Sequence, residues 1–276
     1  MRISGRGKET YLYLSGLRVD RSIRLNENVE LLPAQCSPAP ADIIDISNCE
    51  IDIGVAAIFL RSVASQICVR ASSCKDLAVT AWNTNWDILL LGAFCNCEVV
   101  CNLQCDVPAE KFDSKSCLEI TNYHLRGLSS GSPHLMTTEE ATWLESNIVG
   151  ARSLLDSQGF ETAIHCLATC RWHSLPRVQL AVLWAGIESL FRIESEIGFR
   201  LSLYSARFLE PDDRVEQSKV FANVKRLYRQ RSAVVHGSNV KDNLNAEVSE
   251  SATLLLRLLR RCVQNKALPE TDMLAP

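Results

Sequence analysis

RGLSSGSPH (126–134) is followed at once by TTEEATWLESNIVGARSLLDSQG (137–159). The first stretch has the Gly, Ser and Pro content of a linker. The second opens on Thr137 with Glu140 three residues later, the spacing of a capping box, so a helix is expected from there to a stop at Gly159. The chain changes character at this point. Before it, short β-like segments alternate with turn residues. They are TYLYLSGLRV, SIRLNENVELLP with an Asn-Glu-Asn turn, QICVRA, WDILLLGAF and CEVVCNLQCDV. IGVAAIFLRSVASQ (53–66) fits a helix or a buried strand equally well. The expected fold class is α+β, with a β-rich N-terminal domain over 1–133 and an all-α helical bundle over 134–276.

After residue 134 every segment reads as helix. FETAIHCLATCRWH ends at a Ser-Leu-Pro break, and Pro176 suits the first turn of PRVQLAVLWAGIESLFRIES. Its apolar residues at 180, 183, 184, 187, 190 and 191 make a wide helical stripe. GFRLSLYSARFLE, DDRVEQSKVFANVKRLYRQRSAVVH and NLNAEVSESATLLLRLLRRCVQNK complete six helices.

Composition limits the function. The net charge of the 276-residue chain is −3, so any nucleic-acid-binding surface must be local. The 29 basic residues divide into 21 Arg and 8 Lys, a skew that suits bidentate phosphate contacts and buried ion pairs. No targeting segment and no apolar run of membrane-spanning length is visible; the longest central run, ILLLGAF (88–94), is strand length. A soluble, cytoplasmic protein with no membrane partner is expected. Twelve cysteines without a secretory signal argue against a disulfide framework. The dense group Cys95, Cys97, Cys101 and Cys105 lacks the paired knuckle spacing of a zinc site. Its parity places all four on one face of a strand, opposite a mostly polar face, as small hydrophobes. Cys166 and Cys170, near His165 and His173, read as core or surface thiols. No metal and no cofactor is expected.

The helix over DDRVEQSKVFANVKRLYRQRSAVVH carries the candidate chemistry. Gly237 is placed as the residue beyond its end, which makes His236 the last helical residue, where the dipole favours a histidine. The apolar stripe runs Val220, Val224, Leu227, Arg231, Val234. Arg231 therefore occupies an apolar position and must be paired, or lie at an interface or pocket. His236 is about 140° around the helix from Arg231 and continues a different stripe: Lys225, Arg229, Ser232. One helix does not aim both side chains at one atom. The bare Arg-x4-6-His pattern is expected about once by chance in a chain of this composition, so context must carry the reading.

LYRQRSAVVHG (227–237), preceded by LWAGIESLF and GFRLSLYSARFL, resembles an HEPN domain of the Apea-like kind, over about residues 137 to 266. The resemblance implies an all-α bundle, dimerisation with the two motifs facing each other, and metal-independent endoribonuclease activity with Arg231 and His236 as the motif residues. It also implies a setting in bacterial conflict, as toxin or antiviral phage defence, with a possible regulatory protein partner. Ser232 departs from the Asn, Asp or His that often follows the arginine in this family. Histidine suits general acid or base work near neutral pH, and arginine suits a phosphate. Ser232 is a candidate to position phosphate or imidazole, and Tyr228 to stack on a base. Glu188 is expected in a structural ion pair with Arg231 or Arg200. Lys225, Arg226 and Arg229, with Arg257, Arg260 and Arg261 on the last helix, are the candidate RNA track, or else two solvated helix faces. Two readings stay open: an RNA-cleaving hydrolase with a β-rich sensor or partner-binding region, and a non-catalytic helical module for dimerisation or RNA binding.

Overall fold

The computed structural model describes residues 3–44, 52–123, 132–235 and 243–275. An antiparallel β-sheet region is followed by an all-helical one, as expected. The chain forms two compact units, Met1–Val149 and Gly150–Pro276. The elements in order are β1 (Glu9–Ser15), β2 (Leu17–Arg18), β3 (Ile23–Arg24), β4 (Val29–Pro33), α1 (Pro40–Ile44), α2 (Ile53–Arg61), β5 (Ser65–Arg70), α3 (Cys74–Phe94), β6 (Val100–Cys105), β7 (Leu118–Ile120) and β8 (His134–Leu135). Then come α4 (Thr138–Leu154), α5 (Gln158–Thr169), α6 (Pro176–Phe191), α7 (Ile197–Leu209), α8 (Arg214–Val235), α9 (Asn245–Asn265) and α10 (Thr271–Leu274).

In the first unit, six strands pair in the order β3-β4-β5-β1-β6-β7, every pair antiparallel. The Asn-Glu-Asn turn joins β3 to β4 as expected, with Asn26 Oδ1 accepting from the Asn28 amide at 2.7 Å. The ambiguous 53–66 segment is both things: helix α2, capped by Asp52 at the Val55 amide, then the start of β5. β2 and β8 form a separate parallel pair.

Two expectations about this unit are corrected. WDILLLGAF is the end of the 21-residue helix α3 and not a strand. Leu77, Ala81, Thr84, Ile88 and Leu91 are buried at 4, 3, 4, 3 spacing, and Ser73 caps the helix at the Asp76 amide. The apolar run alone could not separate a buried helix from a strand, because both of its sides are covered.

The cysteine group does not share one strand face. Cys95 ends α3, and the strand begins only at Val100. The register of β6 against β1 then slips: Leu103 pairs with Tyr13, but Cys101 pairs with Leu14. Asn102 is the extra residue of a bulge. Cys105 and Leu103 thus lie with Tyr11 and Tyr13, while Cys101 lies on the opposite face with Leu14. That second face is not polar and wet either. Gln104 is buried and donates to Thr10 Oγ1 at 2.9 Å and to the Ser4 carbonyl at 2.7 Å. Buried amides of this kind are tolerated because they are satisfied. Among the described residues no three His, Cys, Asp or Glu gather as a metal-ligand set, and no helix is long and apolar enough to cross a membrane.

α4 opens on the expected capping box. The Glu140 amide donates to Thr137 Oγ1 at 3.2 Å, and the Thr137 amide donates to Glu140 Oε2 at 2.8 Å. Trp143 on its first half meets Phe94 at a tilt of 47°, with ring centroids 4.6 Å apart, both residues lying within the first unit. α4 stops at Leu154, earlier than Gly159. Gly159 lies in the first turn of α5 instead, and a Cβ there would fall 2.6 Å from the Ser189 carbonyl oxygen, so the position needs glycine. The 126–134 linker falls largely outside the described residues.

In the second unit α6 is the central element. It packs against α5, α8 and α9 and buries Leu180, Leu183, Trp184, Ile187, Leu190 and Phe191. Pro176 starts it, as expected. Gly186 lets it approach closely: a Cβ there would sit 2.8 Å from Cys166 Cβ and 3.0 Å from a Leu255 methyl.

Burial pushes the thiols of Cys101, Cys105 and Cys262 up to about 12, so almost none of the reactive thiolate forms near neutrality. Cys74 is exposed. With iodoacetamide at pH 7.5, peptide mass spectrometry should find Cys74 alkylated long before these three. Simultaneous labelling in the folded protein would contradict the packing of β6 and α9.

Candidate functional site

The site is built where α8 crosses α6. Val220, Val224 and Leu227 of α8 are buried and fix its rotation. That rotation carries Arg231, next on the same stripe, toward Glu188 on α6. Arg231 Nη2 lies 3.3 Å from Glu188 Oε1, with the two side chains 19% and 31% exposed. The ion pair expected for Glu188 is therefore present, and its partner is Arg231; Arg200 pairs instead with Glu196, one turn earlier on the chain. The guanidinium carbon of Arg231 also stands 5.8 Å from the centroid of the Tyr228 ring.

Tyr228 is the hinge of a wider network. Its ring meets Trp184 edge-on, with centroids 5.3 Å apart. Trp184 is fully buried, and its indole N–H donates to Ser251 Oγ of α9 at 3.2 Å. Gly198 in the first turn of α7 leaves room for the tyrosine: a Cβ would fall 2.8 Å from two ring carbons. Alanine would gain up to about 1 kcal/mol of helix propensity over glycine, but overpacking costs about 1–3 kcal/mol, so glycine is the better residue here. Arg231 Nε and Glu188 Oε1 are buried without a hydrogen-bond partner among the described residues. The attachment is thus mainly Coulombic and aromatic, and part of the guanidinium stays open.

His236 and Gly237 lie outside the described residues, which on α8 run to Val235. Ser232 is half-buried on the turn before that point.

The basic residues of α8 and α9 meet different partners. Arg226 is bound by Glu250 of α9, Asn223 and Gln230. Arg257 pairs with Glu210 at 2.7 Å, and Arg261 Nε donates to the Phe208 carbonyl at 3.2 Å. Arg260 is half-buried. Gln230 of α8 meets Glu247 of α9. Arg257 and Arg261 lie ten and fourteen residues further along α9, about 15–20 Å from that level. They sit at the far end of α8 from Arg231. Lys225 lies over the Phe221 ring at 5.5 Å, and Arg229 is exposed. Sequence reasoning missed Phe221, its neighbour Phe199 and Arg214. The signal for Phe221 and Arg214 was helical spacing from Lys225 and Arg229, read further toward the start of α8; Phe199 lies on α7 and meets Phe221 only in the folded unit.

No family model matches the chain, and no curated protein or solved structure matches it.

Arg231→Ala would leave Glu188 half-buried without its countercharge, at a cost of about 1–3 kcal/mol. Arg229→Ala, on the exposed face, should stay within about 0.5 kcal/mol of wild type. Urea unfolding followed by circular dichroism separates the two. Equal losses would mean that the α6–α8 ion pair is not structural.

Proposed function

We propose that the C-terminal helical region is a metal-independent endoribonuclease domain of HEPN type, acting as a cytoplasmic homodimer in a bacterial conflict or phage-defence setting. The observation that carries this reading is Arg231. A cation stands at an apolar helical position, fastened by Glu188 and Tyr228 and still 19% exposed. A guanidinium held on one side and open on the other is preorganised for a phosphate, and preorganised charge is worth more than charge that must be positioned during the reaction. In sequence, His236 follows five residues later.

The chemistry balances without a metal. A base removes the proton of the internal 2′-hydroxyl, whose oxygen attacks the adjacent phosphorus. The bond to the 5′-oxygen breaks, and that oxygen takes a proton from an acid. One product ends in 2′,3′-cyclic phosphate and the other in a 5′-hydroxyl. Arg231 neutralises the charge that builds on the phosphoryl oxygens. Histidine fits the proton transfers, and a dimer supplies two of them.

A second reading rests on the same pair. Glu188 already neutralises Arg231, and Tyr228 is packed on Trp184, which suits a structural role in a non-catalytic helical module.

The two readings part on His236. Total RNA in excess chelator should be cleaved by wild type, and His236→Ala should lower that rate at least about 10²-fold. Its circular dichroism and its dimer mass by light scattering should match wild type. Unchanged cleavage by a folded His236→Ala dimer rejects the nuclease and favours the structural module.

A further inference from the structure

α8 carries six basic residues and a single acidic one, Glu216. Three of the cations are engaged by carboxylates: Lys219 by Glu216, Arg226 by Glu250 and Arg231 by Glu188. The other three, Arg214, Lys225 and Arg229, meet no carboxylate among the described residues. The split follows the helix geometry. At about 100° per residue, Arg214, Lys225 and Arg229 fall within about 60° of one another, on one stripe with Ser218, Phe221 and Ser232. Lys219 and Arg226 point about 120–140° away from Arg214, and Arg231 about 100° away in the other sense. The charge of α8 that meets no carboxylate among the described residues is thus sorted onto one face.

The same face carries aromatic surface. Phe221 meets Phe199 of α7 edge-on, with centroids 5.9 Å apart, and Phe199 is 52% exposed. Lys225 stands over Phe221. At its N-terminal end the stripe opens on a cavity of about 750 Å³ between α7, α8 and α10. Arg207, Arg214, Ser218 and Phe221 line it, and Arg207 is steadied by a 2.7 Å hydrogen bond to the Leu274 carbonyl. Asp212, the carboxylate among the lining residues, repels a phosphate and suits the amino edge of a base.

We infer that this stripe of α8 binds a single strand of RNA, with Arg214, Lys225 and Arg229 on its phosphates and the Phe199–Phe221 pair stacked on a base. Aromatic rings set among cations are how sequence-tolerant single-strand sites work, and a duplex keeps its bases from such rings. Arg214 to Ser232 spans about 27 Å of helix, a length that suits a strand of a few nucleotides. The stripe ends at Ser232, beside Arg231. The assignment of the strand as substrate rests on the nuclease reading; its binding does not.

The test uses the full chain and a fluorescent 2′-O-methyl oligouridylate of about ten nucleotides, which lacks the attacking hydroxyl. Anisotropy should show binding by wild type. Arg214→Ala with Lys225→Ala should weaken it about tenfold and reduce the salt slope by about 1.4, the value for two phosphates on a single strand. Phe221→Leu should weaken it at least about fivefold. Lys219→Ala, exposed but off the stripe, should match wild type. The inference falls if wild type does not bind, if the double variant binds like wild type, or if Lys219→Ala is equally damaging. Stripe-dependent binding without any cleavage of natural RNA would sink the nuclease reading alone. Cleavage with unchanged kcat/KM in the double variant would sink the track alone.

Discussion

The close approach of α6 to its neighbours is the constraint on which the helical unit depends. Trp184 and Ile187 on α6 are fully buried, and Gly186 between them leaves no space even for a methyl group against α5 and α9. A helix covered on so many sides has little freedom to rotate, because well-packed interiors do not deform continuously. Glu188 is therefore presented to α8 in a fixed position. α8, held by Val220, Val224 and Leu227, answers with Arg231. The ion pair at the candidate site follows from packing on both sides of it.

The same network explains why one arginine supports two readings. Arg231 is paired, as a half-buried cation must be, yet it is not enclosed. Tyr228 links it to Trp184 and so to Ser251 on α9, which gives the guanidinium a rigid setting rather than a mobile surface one. Rigid placement is what phosphate chemistry needs, and it is also what a structural ion pair produces. Among the described residues, the three α8 cations that meet no carboxylate share a face with Phe221.

Local signals in the sequence were read correctly where the physics is local. The Thr137–Glu140 box, the Asn26–Asn28 turn and Pro176 at the start of α6 each act within a few residues. The charge on the apolar stripe of α8 forecast a partner, and Glu188 was legible because it sits at the edge of a second apolar stripe. What failed depends on distant contacts. WDILLLGAF is buried on both sides, so its period was hidden. The bulge at Asn102, which sends Cys101 and Cys105 to opposite faces, is set by pairing with β1, nearly ninety residues away. Gly159 looked like a helix stop and is instead a contact with Ser189. The ion pairs of Arg226 with Glu250 and of Arg257 with Glu210 were not legible in the sequence, because these residues are neighbours only in the folded unit.

The central claim is that this helical unit cleaves RNA through an internal 2′-hydroxyl, with no metal-activated water. The termini of the products report on that directly. Mass spectrometry of RNA fragments made by the wild-type protein in excess chelator should find 2′,3′-cyclic phosphate on one side of each cut and a 5′-hydroxyl on the other. Fragments with 5′-phosphate and 3′-hydroxyl ends, or cleavage that stops when chelator is added, would contradict the account.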